Sequence, residues 1–296
     1  MPEFPDITVY IDALRERVQG HRLEALVIAS PFLLRTAEPP LAAIIGQRVS
    51  ALRRLGKRIA FGFENDHWLV LHLMIAGRLH WFAAGTRVPG RRALARFEFD
   101  SGVLTLTEAG TQRRASLHVV AGERGLAAHE RGGLEVLEST LEEFAARLRT
   151  ENHTLKRALT DPTLFSGIGN AYSDEILHAA RLSPVMLSGK LDDDEIAKLH
   201  AATLSVLRDW TERLRREAGT GFPEGVTAFR PEFAVHGRFG KPCPVCGTAV
   251  QRIRYATNET NYCPRCQTGG RVLADRSLSR LLKDDWPRSI EELEAK

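Results

Sequence analysis

All four cysteines of this chain fall into one pattern: Cys243-Pro244-Val245-Cys246, then sixteen residues, then Cys263-Pro264-Arg265-Cys266. A C-x-x-C pair bends onto a tight knuckle whose two sulfurs reach one ion. Two pairs at this separation supply the four tetrahedral thiolates of a zinc site. Gly247 and Gln267 suit the knuckles, and Thr248 to Tyr262 is long enough for a β-hairpin between them. Two disulfides or four unpaired core thiols are the competing readings. Disulfides fit poorly in a reducing compartment, and scattered core thiols would not produce the spacing. Four protein ligands leave no open coordination position, so a single Zn2+ here is expected to be structural rather than catalytic.

Charge points to the class of partner. The net charge is +4 and the pI about 9.0, but the cations are unevenly placed. Gln47 to Arg58 carries Arg48, Arg53, Arg54, Lys57 and Arg58 with no acid, and Arg230 to Arg271 carries seven Lys/Arg against Glu232 and Glu259. Two basic blocks on a nearly balanced chain suggest a polyanion, though two solvated faces would look the same. No stretch approaches the ~18 consecutive apolar residues of a membrane span. The start, Met1-Pro2-Glu3-Phe4-Pro5-Asp6, lacks the basic-then-apolar layout of a secretory signal. A cytoplasmic, nucleoid-associated location is the expectation.

Periodicity divides the chain. Ile7, Ile11, Leu14 and Val18 line one face of a helix. Short apolar runs follow at Leu23–Ile28, Val49–Leu52, Ile59–Phe63, Trp68–Leu73, Arg78–Phe82, Ala95–Phe99 and Val103–Leu106. Alternation of Phe61 with Phe63 and of Phe97 with Phe99 suits half-buried strands, and a two-sheet sandwich is plausible. Ala121 to Gly133 reads as a linker. Helical patterns then occupy Leu137–Leu148, His153–Leu159, Ala171–Ala180 and Asp192–Leu214, with Ser183-Pro184 as a helix end, and Arg271 to Lys296 resembles an exposed charged helix.

Two further features carry chemistry. Phe165-Ser166-Gly167-Ile168-Gly169-Asn170 opens an amphipathic helix, and Lys156 lies on the helix before it. Free backbone N–H groups at a helix start bind phosphate without reading sequence, and glycine lets the backbone come close. Asn170 is suited to cap that helix and also to donate to phosphate; an ordinary glycine-containing turn fits the same residues. At the other end, removal of Met1 would make Pro2 a terminal secondary amine. Such a group is partly neutral near pH 7 and able to attack an aldehyde-like sugar carbon to form a Schiff base. A frayed terminus is the plain alternative.

Together, Pro2-Glu3-Phe4-Pro5-Asp6, Gly167-Ile168-Gly169-Asn170 and the four-cysteine ribbon, in that order, resemble the formamidopyrimidine-DNA glycosylase / endonuclease VIII family over about residues 2 to 268. The resemblance implies an α+β chain: an N-terminal β-sandwich with flanking helices over 2–122, a linker over 123–135, a helical domain with a helix–two-turn–helix over 136–235, a zinc ribbon over 236–270 and a tail over 271–296. It implies a bifunctional DNA glycosylase and AP lyase of base excision repair. Pro2 matches the nucleophile that attacks C1′, Glu3 the acid that protonates the sugar oxygen, Lys57 a lysine contacting phosphate beside the lesion, and Asn170 the asparagine that holds phosphates. Gly169, Lys156, Arg252 and Arg254 join it as candidate DNA contacts. Cys243, Cys246, Cys263 and Cys266 are the metal ligands. The implied partner is double-stranded DNA carrying damaged bases or abasic sites, bound by a monomer, with β- and δ-elimination cutting the strand.

Four departures mark this chain. Asp6 stands where the family usually has glutamate, and Asn258 where its ribbon usually has arginine. In His72-Leu73-Met74-Ile75-Ala76-Gly77, Ile75 aligns with the usual intercalating methionine, and Glu108 to Arg114 replaces an Asp-Pro-Arg-Arg-Phe-Gly loop. Gly219 to Pro231 is short, which is more like the endonuclease VIII branch and makes oxidised pyrimidines, abasic sites or bulky lesions credible substrates beside purines. A catalytically weak relative that binds damaged DNA is the alternative; an RNA-associated zinc-ribbon protein is a third class, which the Pro2-Glu3 start disfavours.

Overall fold

The computed structural model describes residues 1–86, 93–109, 113–226, 229–255, 258–275 and 287–294. The chain divides into two compact units, Met1–Arg131 with Asp209–Thr227, and Gly132–Arg208 with Ala228–Lys296. The helical stretch expected over 136–235 is therefore shared between units, its residues from Asp209 to Thr227 grouping with the N-terminal one.

In the first unit, helix α1 (Phe4–Val18) buries Ile7, Tyr10, Ile11, Leu14 and Val18. Its start is fixed by a capping box: the Glu3 N–H donates to Asp6 Oδ2 at 2.9 Å, and the Glu3 carboxylate accepts the Asp6 N–H in return. Pro5 in the first turn loses no helical hydrogen bond. The strands are β1 (Leu23–Ile28), β2 (Val49–Leu55), β3 (Arg58–Phe63), β4 (His67–His72), β5 (Gly77–Ala83), β6 (Ala93–Phe99), β7 (Gly102–Glu108) and β8 (Ser116–Ala121). They form two four-stranded sheets, ordered β1-β6-β7-β5 and β2-β3-β4-β8, with antiparallel pairing throughout. Phe61 and Phe97, one from each sheet, stack with centroids 6.4 Å apart in the shared core that α1 also joins. That core is what the phenylalanine alternation encodes.

The expected linker begins instead as helix α2 (Gly122–Ala127). Leu126, 1 % exposed, packs with Leu55, Ala60, Trp68 and Val70 on the outer face of the second sheet. One apolar residue per short helix is too weak a pattern to read from sequence. Strand β8 escaped for a similar reason: it shows only Leu117 and Val119 in strict alternation and is held by its pairing to β4.

The second unit holds α3 (Leu141–Arg149), α4 (Leu155–Thr160) and α5 (Asn170–Ala180). Helix α6 (Asp193–Ala218) follows, running four residues past the expected end before Gly219 stops it at φ +54°. Thr140 and Glu143 cap α3 reciprocally. Helix α5 ends at Ala180, with Arg181 in the left-handed region, ahead of Ser183-Pro184. Phe144 packs between Phe165 and His200, with centroids 4.8 and 5.0 Å away. The ribbon consists of β9 (Gln251–Arg254), β10 (Glu259–Tyr262) and α7 (Pro264–Thr268).

The described part of the tail is not the exposed helix its charges suggest. Leu273 N–H donates to the Tyr262 hydroxyl at 2.7 Å, and Leu273, Tyr262 and Ile253 form a small core. Val272 N–H donates to the Arg288 carbonyl and Ile290 N–H to the Gly270 carbonyl, leading into α8 (Ile290–Glu294). The remainder of the tail lies outside the described residues. Among the described residues, no helix is long and apolar enough to cross a membrane.

Candidate active site and nucleic-acid interface

In the first unit, Pro2 and Glu3 are buried at the start of α1. The Met1 amine beside them is held below its usual range, mainly by burial. Arg78 and Lys57 add to that lowering while Glu3 and Asp6 oppose it. Lys57 occupies the Gly56-Lys57 turn between β2 and β3. Arg54 ties that turn to the helix start: its guanidinium donates to the Gly56 carbonyl at 3.0 Å and lies 4.2 Å over the Phe4 ring. Glu3 and Lys57 thus both act on the amino terminus next to Pro2. The structure also gives Asp6 a role, because its carboxylate is the partner of the Glu3 N–H.

Three loops belong to the same unit. Between β4 and β5, Met74 adopts φ +53° and Ile75 is 63 % exposed at the tip. Gly77 closes the turn, where a Cβ would sit 2.2 Å from the Leu73 carbonyl oxygen. Met74 N–H donates to His72 Nδ1 at 3.1 Å, which leaves the ring proton on Nε2. Burial, then Arg58, Lys57 and His118, push His72 down to about 4. In the second loop, the Glu108 carboxylate accepts the N–H groups of Arg114 and Ala115; residues 110–112 of this replaced segment lie outside the described residues. In the third, which follows α6, Phe222 packs on Tyr10 at 5.7 Å and His80 Nδ1 meets Glu224 at 2.6 Å; residues 227–228 are not described.

In the second unit, Gly169 is the N-cap of α5 and Asn170 its first helical residue, one place inside the cap position read from sequence. The Asn170 amide donates to the Glu259 carbonyl at 3.0 Å, joining the helix start to the ribbon hairpin. Lys156 is nearly buried. Its ammonium donates to the Asn170 carbonyl at 2.6 Å and to Asp174 Oδ1 at 2.5 Å, so it acts as a strut under the helix start. Arg252 lies 4.2 Å over the Phe239 ring and pairs with Glu259 at 3.4 Å. Arg254 is exposed, and its backbone N–H donates to Asp275 at 2.6 Å. Asn258 is exposed, and its carbonyl accepts the Tyr255 N–H in the hairpin turn.

The sulfurs of Cys243, Cys246, Cys263 and Cys266 all lie within 4.8 Å of one another. Zn–S bonds of ~2.3 Å in a tetrahedron demand S···S separations of about 3.8 Å; Cys243–Cys266 at 3.9 Å and Cys246–Cys263 at 3.4 Å bracket that value. Gly247, at φ +76°, turns the first knuckle so that its N–H reaches the Cys243 carbonyl. Burial pushes the Cys263 and Cys266 thiols up. A central dication is what makes thiolates there favourable. His178 Nε2 lies 3.3 Å from Cys243 Sγ and supplies a buried donor from α5. The donor set fits one structural Zn2+.

Asp174 and Glu175 gave no sequence signal, and Gln267 showed only its place after the second knuckle. Asp174 joins Lys156, His236 and the Asn261 N–H, while Glu175 accepts the N–H groups of Ala234, Val235 and His236. Gln267 accepts the Cys263 N–H and donates to the Leu182 carbonyl. These partners are 59 to 87 residues apart in all but two cases, beyond the reach of local pattern.

A sandwich bearing a buried, acid-flanked amino terminus, together with a unit whose phosphate-type helix start is tied to a four-cysteine ribbon, defines a zinc-ribbon enzyme of nucleic acids. Residues 1–115 match the formamidopyrimidine-DNA glycosylase N-terminal domain, 133–218 the formamidopyrimidine-DNA glycosylase H2TH domain and 240–269 the zinc finger found in FPG and IleRS. Formamidopyrimidine-DNA glycosylase of Exiguobacterium sibiricum is 30 % identical over 278 residues, covering 90 % of this chain and 99 % of its own. The crystal structure of MutM (Fpg) from Thermus thermophilus is 30 % identical with a TM-score of 0.75 over 90 % of this chain and 98 % of that one. A Lactococcus lactis Fpg bound to DNA containing an AP site shares the fold, at 23 % identity and a TM-score of 0.77 over 90 % and 99 %. The chain belongs to the formamidopyrimidine-DNA glycosylase family. It is a DNA glycosylase of base excision repair, and AP lyase activity is typical of that family.

Proposed function

We propose that the chain excises damaged bases through the Pro2 amine and then cuts the strand. The observation that carries this reading is the burial of Pro2 and Glu3 at the start of α1, beside a Met1 amine that burial first, then Arg78 and Lys57, hold below its usual range. With Met1 removed, a neutral Pro2 nitrogen attacks C1′ as Glu3 donates a proton to the sugar oxygen, and the base leaves. The resulting iminium acidifies the C2′ protons. Loss of one expels the 3′-phosphate, and a second elimination expels the 5′-phosphate. Lys57 holds phosphate beside the lesion. Gly169 and Asn170 offer amide donors at a helix start, Lys156 positions them, and Arg254 presents an exposed cation while Arg252 sits closer to the hairpin.

The substrate is double-stranded DNA with damaged bases or abasic sites. The damaged nucleotide is extruded from the stack at a cost of a few kcal/mol, less for a lesion, and Ile75 is the exposed apolar wedge. We place the enzyme at the nucleoid as a monomer. Borohydride trapping tests the assignment on duplexes carrying an abasic site, 8-oxoguanine or an oxidised pyrimidine. The wild type should give a covalent adduct, and Pro2→Gly should bind but lose it; the best-trapped lesion then names the substrate class. Tight binding with no adduct on any duplex would instead favour a damage-binding relative.

A further inference from the structure

Register fixes which side chains share the outer face of the β2-β3-β4-β8 sheet. Arg58 lies opposite His72, and His118 lies opposite Val70, two residues before His72 on the same strand. Arg58, His72 and His118 therefore project from one face. Helix α2 covers the apolar part of that face through Leu126. His129, just past α2, covers part of the rest: its ring lies 4.6 Å from that of His118, and its carbonyl accepts from Arg58 at 3.2 Å.

The charges acting on these four side chains come from Lys57 on the β2–β3 turn, Arg35 on the loop beside β8, Arg131 after α2, and the four themselves. Among the described residues, none of these is a carboxylate. Glu130, next to His129, is exposed, and Glu123 on α2 is paired with Arg53. Arg58 is the fixed cation of the four, and it disfavours charging of the imidazoles around it; an anion beside Arg58 reverses that effect.

We propose that Arg58, His118 and His129 form a phosphate site on the outer face of this sheet, next to the Lys57 turn, that gains protons when a DNA backbone phosphate fills it. The proposal rests on DNA binding by this family and is independent of the Pro2 assignment. In the DNA-free protein, burial holds His118 near 4 and lowers His129, so both rings are neutral at pH 7. A phosphodiester beside them favours their charged forms. Binding therefore takes up protons and tightens as pH falls from 7 towards 5, by up to about tenfold per pH unit for each proton.

The test uses full-length, zinc-loaded protein and fluorescence anisotropy at constant salt. Undamaged duplex and duplex with a stable abasic analogue are titrated between pH 5.5 and 7.5. The wild type should bind at least about fivefold more tightly at pH 5.5. The His118→Gln/His129→Gln double variant should show no such gain. His118→Lys, which fixes the charge, should bind at pH 7.5 as the wild type does at pH 5.5. A pH slope that persists in the double variant, or no gain in His118→Lys at pH 7.5, overturns the site. Borohydride trapping on the abasic duplex is scored separately. Its absence in a wild type that binds normally would remove the Pro2 reading and leave this one standing.

Discussion

Two charged regions, one in each unit, are built in opposite ways. In the second, Asp174 is fully buried yet satisfied by Lys156 at 2.5 Å, His236 at 2.7 Å and the Asn261 N–H at 3.2 Å. Glu175 beside it accepts three backbone N–H groups. In the first unit, the charges that act on Arg58, His72, His118 and His129 are, among the described residues, those of other cations. Paired charge fixes geometry, because removing either partner strands the other in a low dielectric. Uncompensated charge on a surface leaves attraction available for a ligand. The contrast separates the part of the protein that must hold its shape from a part that is completed by DNA.

Perturbing the metal should break the comparison most severely. Cys263→Ser should lower bound zinc from one ion per chain towards none and abolish hydrogen-exchange protection in the ribbon hairpin, since structural zinc of this kind supplies ~10 kcal/mol or more in small fingers. Unchanged zinc content by metal analysis would contradict the four-cysteine assignment. Asp174→Asn should come next, at about 3–5 kcal/mol in urea unfolding, because Lys156 is left nearly buried without its counter-charge. A loss below about 1 kcal/mol would mean the pair is not structural.

Acidification probes the other unit. Folding holds His72 neutral, with its value near 4 against 6.5 for the ordinary group. The unfolded chain therefore binds the proton first. The stability this gives the DNA-free protein is complete above pH 6.5 and is lost progressively as pH falls towards 4, by at most about 3 kcal/mol. His72→Gln should flatten that part of the pH–stability curve, and an unchanged curve would reject a neutral buried ring. The smallest effect concerns the ribbon arginines. Arg254→Gln should lower the slope of log affinity against log salt by about one unit. Arg252→Gln should lower it less and change stability by under about 1 kcal/mol, because its cation is already shared with Glu259 and Phe239. Equal slopes for the two variants would erase the distinction drawn between them.

Features set by neighbours along the chain were legible beforehand. The zinc knuckles depend on residues three apart, the apolar face of α1 on the spacing from Ile7 to Val18, and the sandwich core on alternating phenylalanines; the capping of α1 by Glu3 and Asp6 emerges only in the structure. The start of α5 was read one residue off, because glycine and asparagine both suit a cap and only backbone geometry separates them. What escaped was long-range or weakly patterned. Helix α2 depends on Leu126 meeting a sheet face, and the tail folds back through Leu273 onto Tyr262. The Asp174–His236 contact spans 62 residues. Lys156 was read as a phosphate contact because its sequence neighbourhood shows a helix before a glycine turn; nothing local reveals the buried carboxylate that engages it.

The ties between ribbon and helix have a practical consequence. Asn170 to Glu259, Asn261 to Asp174 and Gln267 to Leu182 all connect the metal-organised segment to α5 or the turn after it. A molecule without its ion loses the scaffold for the helix start along with the ribbon. In a preparation of mixed loading, the number of DNA sites counted by active-site titration should equal the zinc stoichiometry rather than the protein concentration.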